Sequence, residues 1–373
     1  MPLSKDFEIQ AHDEFDFLGT DYRALFDTSN ATIFQKPQWL DLLYSRLVPT
    51  TDARPLILSV RDKNDGRLCL LLPLLRTSYL GLSCVEPADL GAADYNAIIY
   101  DPASAERLLS DDQLSDVVIG LFKPCQLIFF RKMQGDDTVL AHVLGQKQDQ
   151  TRGKVKTGDM VSSGHDMAIW APYEEWRQEI LSNKLRTRLR QKHKKLVKFG
   201  DVSLRICTEE NDIRTVMRAL QEQRRERYPD DLFLEERYFD FYCAVALEGV
   251  ETGLSELSAL YVGDEIVGIE LGFIHDHCYH FILSGMQGGQ YYKLSPGLHL
   301  IDYILAHRVE LGDTRIDFTI GDEDYKASFG AKATQLRLMA RPMSLFGSLA
   351  LKAYMQGGPV KAFAKRIVSM TKR

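Results

Sequence analysis

Apolar residues along this chain recur with two periods, and the switches between them mark a mixed α/β protein. Lys36–Leu47 (KPQWLDLLYSRL) has helical spacing and opens at Pro37, a residue suited to a first turn. Pro55–Val60 and Arg67–Leu72 are apolar strand runs on either side of Asp65-Gly66, a hairpin dipeptide, and Pro73 is expected to end the second run. Ala105–Phe122 reads as a helix and Cys125–Arg131 as a strand. Thr151–Gly164 follows neither period and is rich in Gly and Ser, which predicts a linker.

The second half is more regular. One long helix is expected over Pro172–Phe199, stopped by Gly200. Val202–Cys207 alternates as a strand, and Asp212–Arg227 and Glu235–Leu247 are helical, the latter stopped by Gly249. Three strands follow, Ser255–Val262, Glu265–Ile274 and Cys278–Gly285, joined by tight turns. Pro296–Leu311 is a helix, Arg315–Phe318 a strand, Asp322–Phe329 a short helix and Thr334–Arg341 a last strand. The order from Val202 is β-α-α-β-β-β-α-β-α-β, an antiparallel meander followed by a helical crossover. It resembles the Gcn5-related N-acetyltransferase (GNAT) order, and the first half, with its hairpin at Leu56–Leu72, is a weaker echo. The expected architecture is α/β (α+β): tandem GNAT domains with mixed, mostly antiparallel sheets flanked by helices. A degenerate first copy is expected over residues 1–164, an acyltransferase domain over 165–342 and a basic helical tail over 343–373.

Composition supports two domains and narrows the compartment. The chain has 373 residues, enough for two ordinary cores, so no disulfide or metal staple is required. Its six cysteines form no C-x-x-C pair, the N-terminus lacks a basic start and apolar run, and no stretch of about 18 apolar residues occurs. A reducing, cytoplasmic protein is expected. The net charge of −6 is unevenly spread. Lys184–Lys198 (KLRTRLRQKHKKLVK) holds eight Lys or Arg and no acid, while Leu185, Leu189 and Leu196 form an apolar stripe. Arg341–Arg373 adds seven bases and no acid, which leaves −13 on residues 1–340. The total disfavours nucleic acid as a general partner. The amphipathic tail suits an anionic membrane surface or a synthase complex, with a place at the periphery of the inner membrane.

The densest chemistry lies in Tyr291–Gly330. Ser295 is placed to cap a helix, Pro296 to open it and Gly297 to let a ligand approach the backbone. The helix N-terminus then offers N–H groups to a pyrophosphate, with Lys293 as a nearby point charge and Leu294 and Leu298 flanking the loop. Glu270, mid-strand among apolar neighbours, is expected to have a raised pKa and is a candidate base. His280 is placed to assist proton transfer at the substrate. His275-x-His277-Cys278-x-His280 falls on a turn, so no metal is expected.

Ser295-Pro296-Gly297 and Leu300, then Asp317-Phe318, Gly321 and Tyr325-Lys326, resemble the acetyltransferase-like domain of CelD/BcsL-type proteins of bacterial cellulose and exopolysaccharide biosynthesis. The basic helix, Pro37-Gln38-Trp39 and Gly91-Ala92-Ala93-Asp94-Tyr95-Asn96 extend the resemblance over most of the chain. It implies acyl transfer from acyl-coenzyme A, acetyl-coenzyme A above all, to an amine or hydroxyl on a small-molecule or saccharide acceptor. Tyr325 then serves as general acid to the leaving sulfur, Asp317 as a base or acceptor-orienting group and Lys326 as a substrate contact. One departure stands out: the usual coenzyme A loop, Q/R-x-x-G-x-G/A, has a single glycine here, Gly297. The related Fem-type transferases offer an alternative, with charged tRNA on the basic helix, although the short span from Arg227 to Glu235 lacks their helical-hairpin insertion. A decayed binding module of a synthase complex is the remaining alternative.

Overall fold

The computed structural model describes residues 4–146 and 155–356, which fall into two compact units: Met1–Val161 with Gln335–Arg373, and Ser162–Thr334. The boundary expected at 164/165 therefore lies close to 161/162. The residues from Gln335 onward group with the first unit instead of ending the second and starting a separate tail. The tail's second amphipathic segment, from Gly357 on, lies outside the described residues, as do residues 151–154 of the expected linker.

The first unit begins with β1 (Phe7–His12), α1 (Thr20–Thr28), α2 (Pro37–Leu42), β2 (Arg54–Asp62), β3 (Leu68–Tyr79), β4 (Leu82–Pro87) and β5 (Ile99–Tyr100). It continues with α3 (Ala105–Ser110), α4 (Leu114–Phe122), β6 (Leu127–Met133), α5 (Thr138–Val143) and the start of β7 (Lys156–Ala168). Its sheet runs β1-β2-β3-β4-β6 and is closed by β13 (Lys332–Pro342), with α12 (Leu345–Met355) after it. Neighbours are antiparallel except β4 and β6, which are parallel at Cys84↔Leu127 and Val85↔Ile128. β3 does not stop at Pro73. The Pro73 carbonyl accepts the Ala88 N–H, so the proline nitrogen faces the edge between the β5 and β4 pairings, where no ladder donor is missed. The helix expected over Ala105–Phe122 is broken at Asp111, whose extended backbone lets its carboxylate accept the Gln113 and Leu114 N–H groups.

The second unit holds α6 (Tyr173–Ile180), α7 (Asn183–Leu196), β8 (Val202–Cys207), α8 (Glu210–Arg227), α9 (Glu236–Thr252), β9 (Ser255–Val262), β10 (Glu265–His275) and β11 (Cys278–Met286). It ends with α10 (Pro296–Glu310), β12 (Arg315–Ile320) and α11 (Asp324–Ser328). The expected tandem of mixed, mostly antiparallel sheets flanked by helices is what the structure shows. The second sheet runs β7-β12-β11-β10-β9-β8, with one parallel pair, β11 and β12. Its first strand, β7, occupies most of the stretch expected to be a linker. Its lack of apolar period is consistent with its role, since it is held by pairing Gly164–Ala168 with β12. The single helix expected over Pro172–Phe199 is two: Ser182 interrupts it and caps α7 by accepting the Leu185 N–H. Gly249 is a packing residue inside α9, where a Cβ would lie 2.3 Å from Ser255 Oγ, and the stop is Gly253 at φ +71°. One core layer unites Trp176, Leu185, Leu189 and Leu196 of α6 and α7 with Leu300 and Ile304 of α10 and Phe281, Ile316 and Phe318 of the sheet.

Candidate active site

The parallel pairing of β11 with β12 is short. It runs through Cys278↔Arg315, Tyr279↔Ile316 and His280↔Asp317 and stops, although both strands continue. Thr319 marks the divergence: its φ is +53°, and its hydroxyl donates to the Phe281 carbonyl at 2.9 Å. A non-glycine residue in that conformation is strained, and the strain is held by the hydrogen bond and by the buried surroundings. The two strands thus open a wedge in the sheet beyond His280 and Asp317.

His280 and Asp317 sit at the base of the wedge, both buried, with His280 Nε2 and Asp317 Oδ2 4.0 Å apart. Asp317 Oδ1 accepts the Thr319 N–H at 2.7 Å. Burial pushes the His280 imidazole down to about 4, so it is neutral at physiological pH. Both residues brace the point of divergence.

Glu270 of β10 lies further along, opposite Ser284 of β11. It is fully buried; Oε1 accepts the Ile282 N–H at 3.0 Å and Oε2 accepts the Ser284 hydroxyl. Burial raises its carboxyl to about 8, against the partial opposition of those two hydrogen bonds, Arg224 and Lys326. Ser284 is half-buried and so forms the accessible end of the pair, a role that the sequence did not signal. Tyr325, on α11, sets its ring edge-on to Phe318 with centroids 5.7 Å apart. Its phenol is pushed well up, first by burial and then by Glu323, Glu270 and Tyr228, and it therefore stays protonated.

Lys326 departs from its expected role. Its side chain is buried and its ammonium donates to the carbonyls of Thr319, Ile320 and Gly321 at 3.3, 3.1 and 3.0 Å, with Glu323 at 3.1 Å. An ammonium has three protons, so none is left for a substrate: Lys326 holds the end of β12 in its divergent course.

The loop after β11 also differs in detail. Ser295 adopts a left-handed conformation (φ 57°, ψ 57°) and its side chain does not cap α10. Instead its hydroxyl is met by two cations of α7, Lys192 Nζ at 2.6 Å and Arg188 Nη2 at 3.2 Å. Neither cation has a carboxylate partner among the described residues. Burial, then Arg188 and Lys195, hold the Lys192 ammonium below its ordinary value. Leu294 and Leu298 turn their side chains into the core, and the Leu298 N–H is spent on the Ser295 carbonyl at 3.1 Å. The Gly297 N–H remains free among the described residues, at a position where a Cβ would come within 2.7 Å of Met286 Cε. Lys293 is exposed beside them. The donors at the mouth of α10 are thus one backbone N–H and two or three side-chain cations, in place of a glycine-rich backbone cradle. Arg188 and Lys192 were legible only as members of a charged helix; their convergence on Ser295 depends on how α7 packs on α10.

The corresponding parallel pair in the first unit carries its own charges internally. Glu86 accepts from Thr77 (2.7 Å), Tyr79 and Arg131 (3.2 Å), and Asp89 takes Lys132 (3.5 Å) and Asn96 (2.9 Å). Among the described residues no group of three or more His, Cys, Asp or Glu is placed to hold a metal, and no helix is long and apolar enough to cross a membrane.

Residues 183–327 match the family model described as an acetyltransferase (GNAT) domain. No curated protein matches the chain in sequence. Among solved structures, FemX is similar at 12% identity and a TM-score of 0.55, covering 88% of this chain and 96% of that one. L-PGS from Bacillus licheniformis is similar at 12% identity and a TM-score of 0.54, covering 89% and 95%. A conserved protein of unknown function from Bacteroides thetaiotaomicron VPI-5482 gives 11% identity and a TM-score of 0.55, covering 90% and 100%. At such identities the likeness is one of fold.

Proposed function

We propose that the second unit transfers an acyl group from acyl-coenzyme A to an amine or hydroxyl acceptor. The observation that carries this reading is the pairing of an open β11–β12 wedge with an acid-free cationic mouth at α10, built by Arg188, Lys192 and the Gly297 N–H. The mouth fits the phosphates of the donor, and its side-chain cations replace the backbone donors that a second glycine provides elsewhere in the family. The wedge then receives the thioester between β11 and β12.

Transfer requires the acceptor to lose a proton and the thiolate to gain one. The acceptor nitrogen or oxygen bonds to the acyl carbon and the carbon–sulfur bond breaks. The acceptor's proton passes through the Ser284 hydroxyl to Glu270, and Tyr325 gives its phenolic proton to the sulfur. Asp317 and His280 hold the base of the wedge. A groove of 430 Å³ beyond the end of β11, lined by Glu222, Glu226, Asp264, Glu265 and Gln287, favours a cationic amine over a neutral hydroxyl. A saccharide or cell-envelope acceptor follows from the sequence resemblance alone, and FemX and L-PGS share this fold with different names.

The test is thiol release from acetyl-coenzyme A across a panel of amines, amino sugars and alcohols, with donor binding followed by calorimetry. Micromolar-range donor binding that weakens by about tenfold in Arg188→Ala and in Lys192→Ala supports the proposal. Absence of binding by any acyl-coenzyme A at low salt overturns it. Salt-sensitive binding of charged tRNA in its place moves the reading to aminoacyl transfer.

A further inference from the structure

In the first unit, α12 is apolar on both faces. One side packs down: Leu351 joins Leu82, Leu127, Phe129 and Leu338, and Tyr354 sets its ring edge-on to Phe129 at 5.0 Å. The other side is bare, with Leu345 87%, Leu349 66%, Phe346 50% and Met355 46% exposed. Four large apolar side chains left bare on one helix face mark an interaction surface. Ser344 caps it by accepting the Gly347 N–H, so the outward leucines belong to a well-formed helix.

Charge identifies the cover. From Leu345 to Arg373 the chain carries six Lys or Arg (Lys352, Lys361, Lys365, Arg366, Lys372 and Arg373) and no acid. Residues 1–340 carry −13. Lys352 lies seven residues from Leu345 and three from Leu349, on the same exposed stripe, so a second copy docked there meets like charge. We propose that α12 lies in the surface of an anionic lipid bilayer, its Leu345–Phe346–Leu349 face among the acyl chains and Lys352 at the headgroups, with the five further bases of the sequence adding to the attraction for anionic lipid. Neither signal suffices alone: a few apolar side chains give marginal binding and a basic cluster is screened by salt, but together they anchor.

The test is co-sedimentation of the full chain with vesicles of phosphatidylcholine alone and with about one-third phosphatidylglycerol. Binding at least about tenfold tighter to the anionic vesicles is expected, weakened by salt. Leu345→Glu with Leu349→Glu should lower it about tenfold or more with an unchanged melting curve, because both side chains are exposed. Gln at Lys361, Lys365 and Arg366 halves the six bases and should lower the preference for anionic lipid with the sequence of α12 unchanged. Equal binding to both vesicles, no binding at low salt, or unchanged binding in the double Glu variant overturns the proposal. So does tighter binding by a chain ended at Gln356, because that result makes the basic segment a cover for α12 and not its partner at the membrane.

Discussion

Glu270→Gln tests structure and chemistry in one variant. The carboxyl is fully buried and raised to about 8, and its ordinary value is 4.5. The folded protein therefore holds this proton more tightly than the unfolded chain does. Between pH 4.5 and 8 folding takes up a proton at this site, so the site's contribution to stability falls as pH rises through that window and is constant above it. A difference of this size corresponds to roughly 4–5 kcal/mol. Gln has nearly the same shape, keeps an oxygen for the Ile282 N–H and a donor for the Ser284 hydroxyl, and does not titrate. The variant's stability relative to the parent should therefore grow by roughly 4 kcal/mol between pH 5 and 8.5.

In a unit of about 170 residues that growth corresponds to about 10 °C in melting temperature. Scanning calorimetry of both proteins at half-unit pH steps measures it. A stability gap that stays constant across the window refutes the buried, proton-holding carboxyl. Turnover supplies the second readout. If Glu270 takes the acceptor's proton, kcat/KM of the parent climbs toward a plateau near pH 8, where the Gln variant loses about 10²–10⁴ of activity, and the two converge at lower pH. Full turnover in the variant leaves Glu270 as a structural residue.

Tyr325→Phe should lower kcat by about 10²–10³ with donor affinity unchanged, measured by steady-state kinetics beside calorimetry; weakened donor binding would make the tyrosine a packing residue. In Arg188→Ala and Lys192→Ala the donor KM should rise by about tenfold while kcat holds, and the salt dependence of donor binding should flatten. Lys326→Met keeps the stem but strips the carbonyls of Thr319, Ile320 and Gly321 of their donor, at a cost of about 2–4 kcal/mol in thermal unfolding. A normal melt with a raised acceptor KM would instead restore Lys326 as a substrate contact.

What was legible in the sequence was what short-range chemistry decides. Ser255–Val262 appears at its expected bounds, and β10 and β11 come within a residue of theirs, because the apolar runs and tight turns that define them are local. The errors fall where a distant partner decides. β7 becomes a strand because β12 offers it a ladder, and Gly249 stays helical because Ser255 presses against it. β3 passes through Pro73 because the chain beyond returns as β4 on only part of that edge.

The site divides the same way. Glu270 was readable as a buried carboxylate from its apolar neighbours, and the burial-driven rise in its pKa bears that out. Lys326 follows Tyr325 in the same motif, and the resemblance implied a substrate contact for it. In a short helix, however, adjacent side chains project about 100° apart, so Tyr325 packs on Phe318 while Lys326 turns under the β12 carbonyls. The single glycine at the α10 mouth was likewise readable as a deficit but not as a substitution. The proposed compensating charges lie more than 100 residues earlier, on a helix whose apolar stripe, Leu185, Leu189 and Leu196, fixes which of its seven bases face Ser295. The leucine stripe orients α7, and that orientation brings Arg188 and Lys192 to Ser295, so the residues that pack α7 also set the proposed donor contacts.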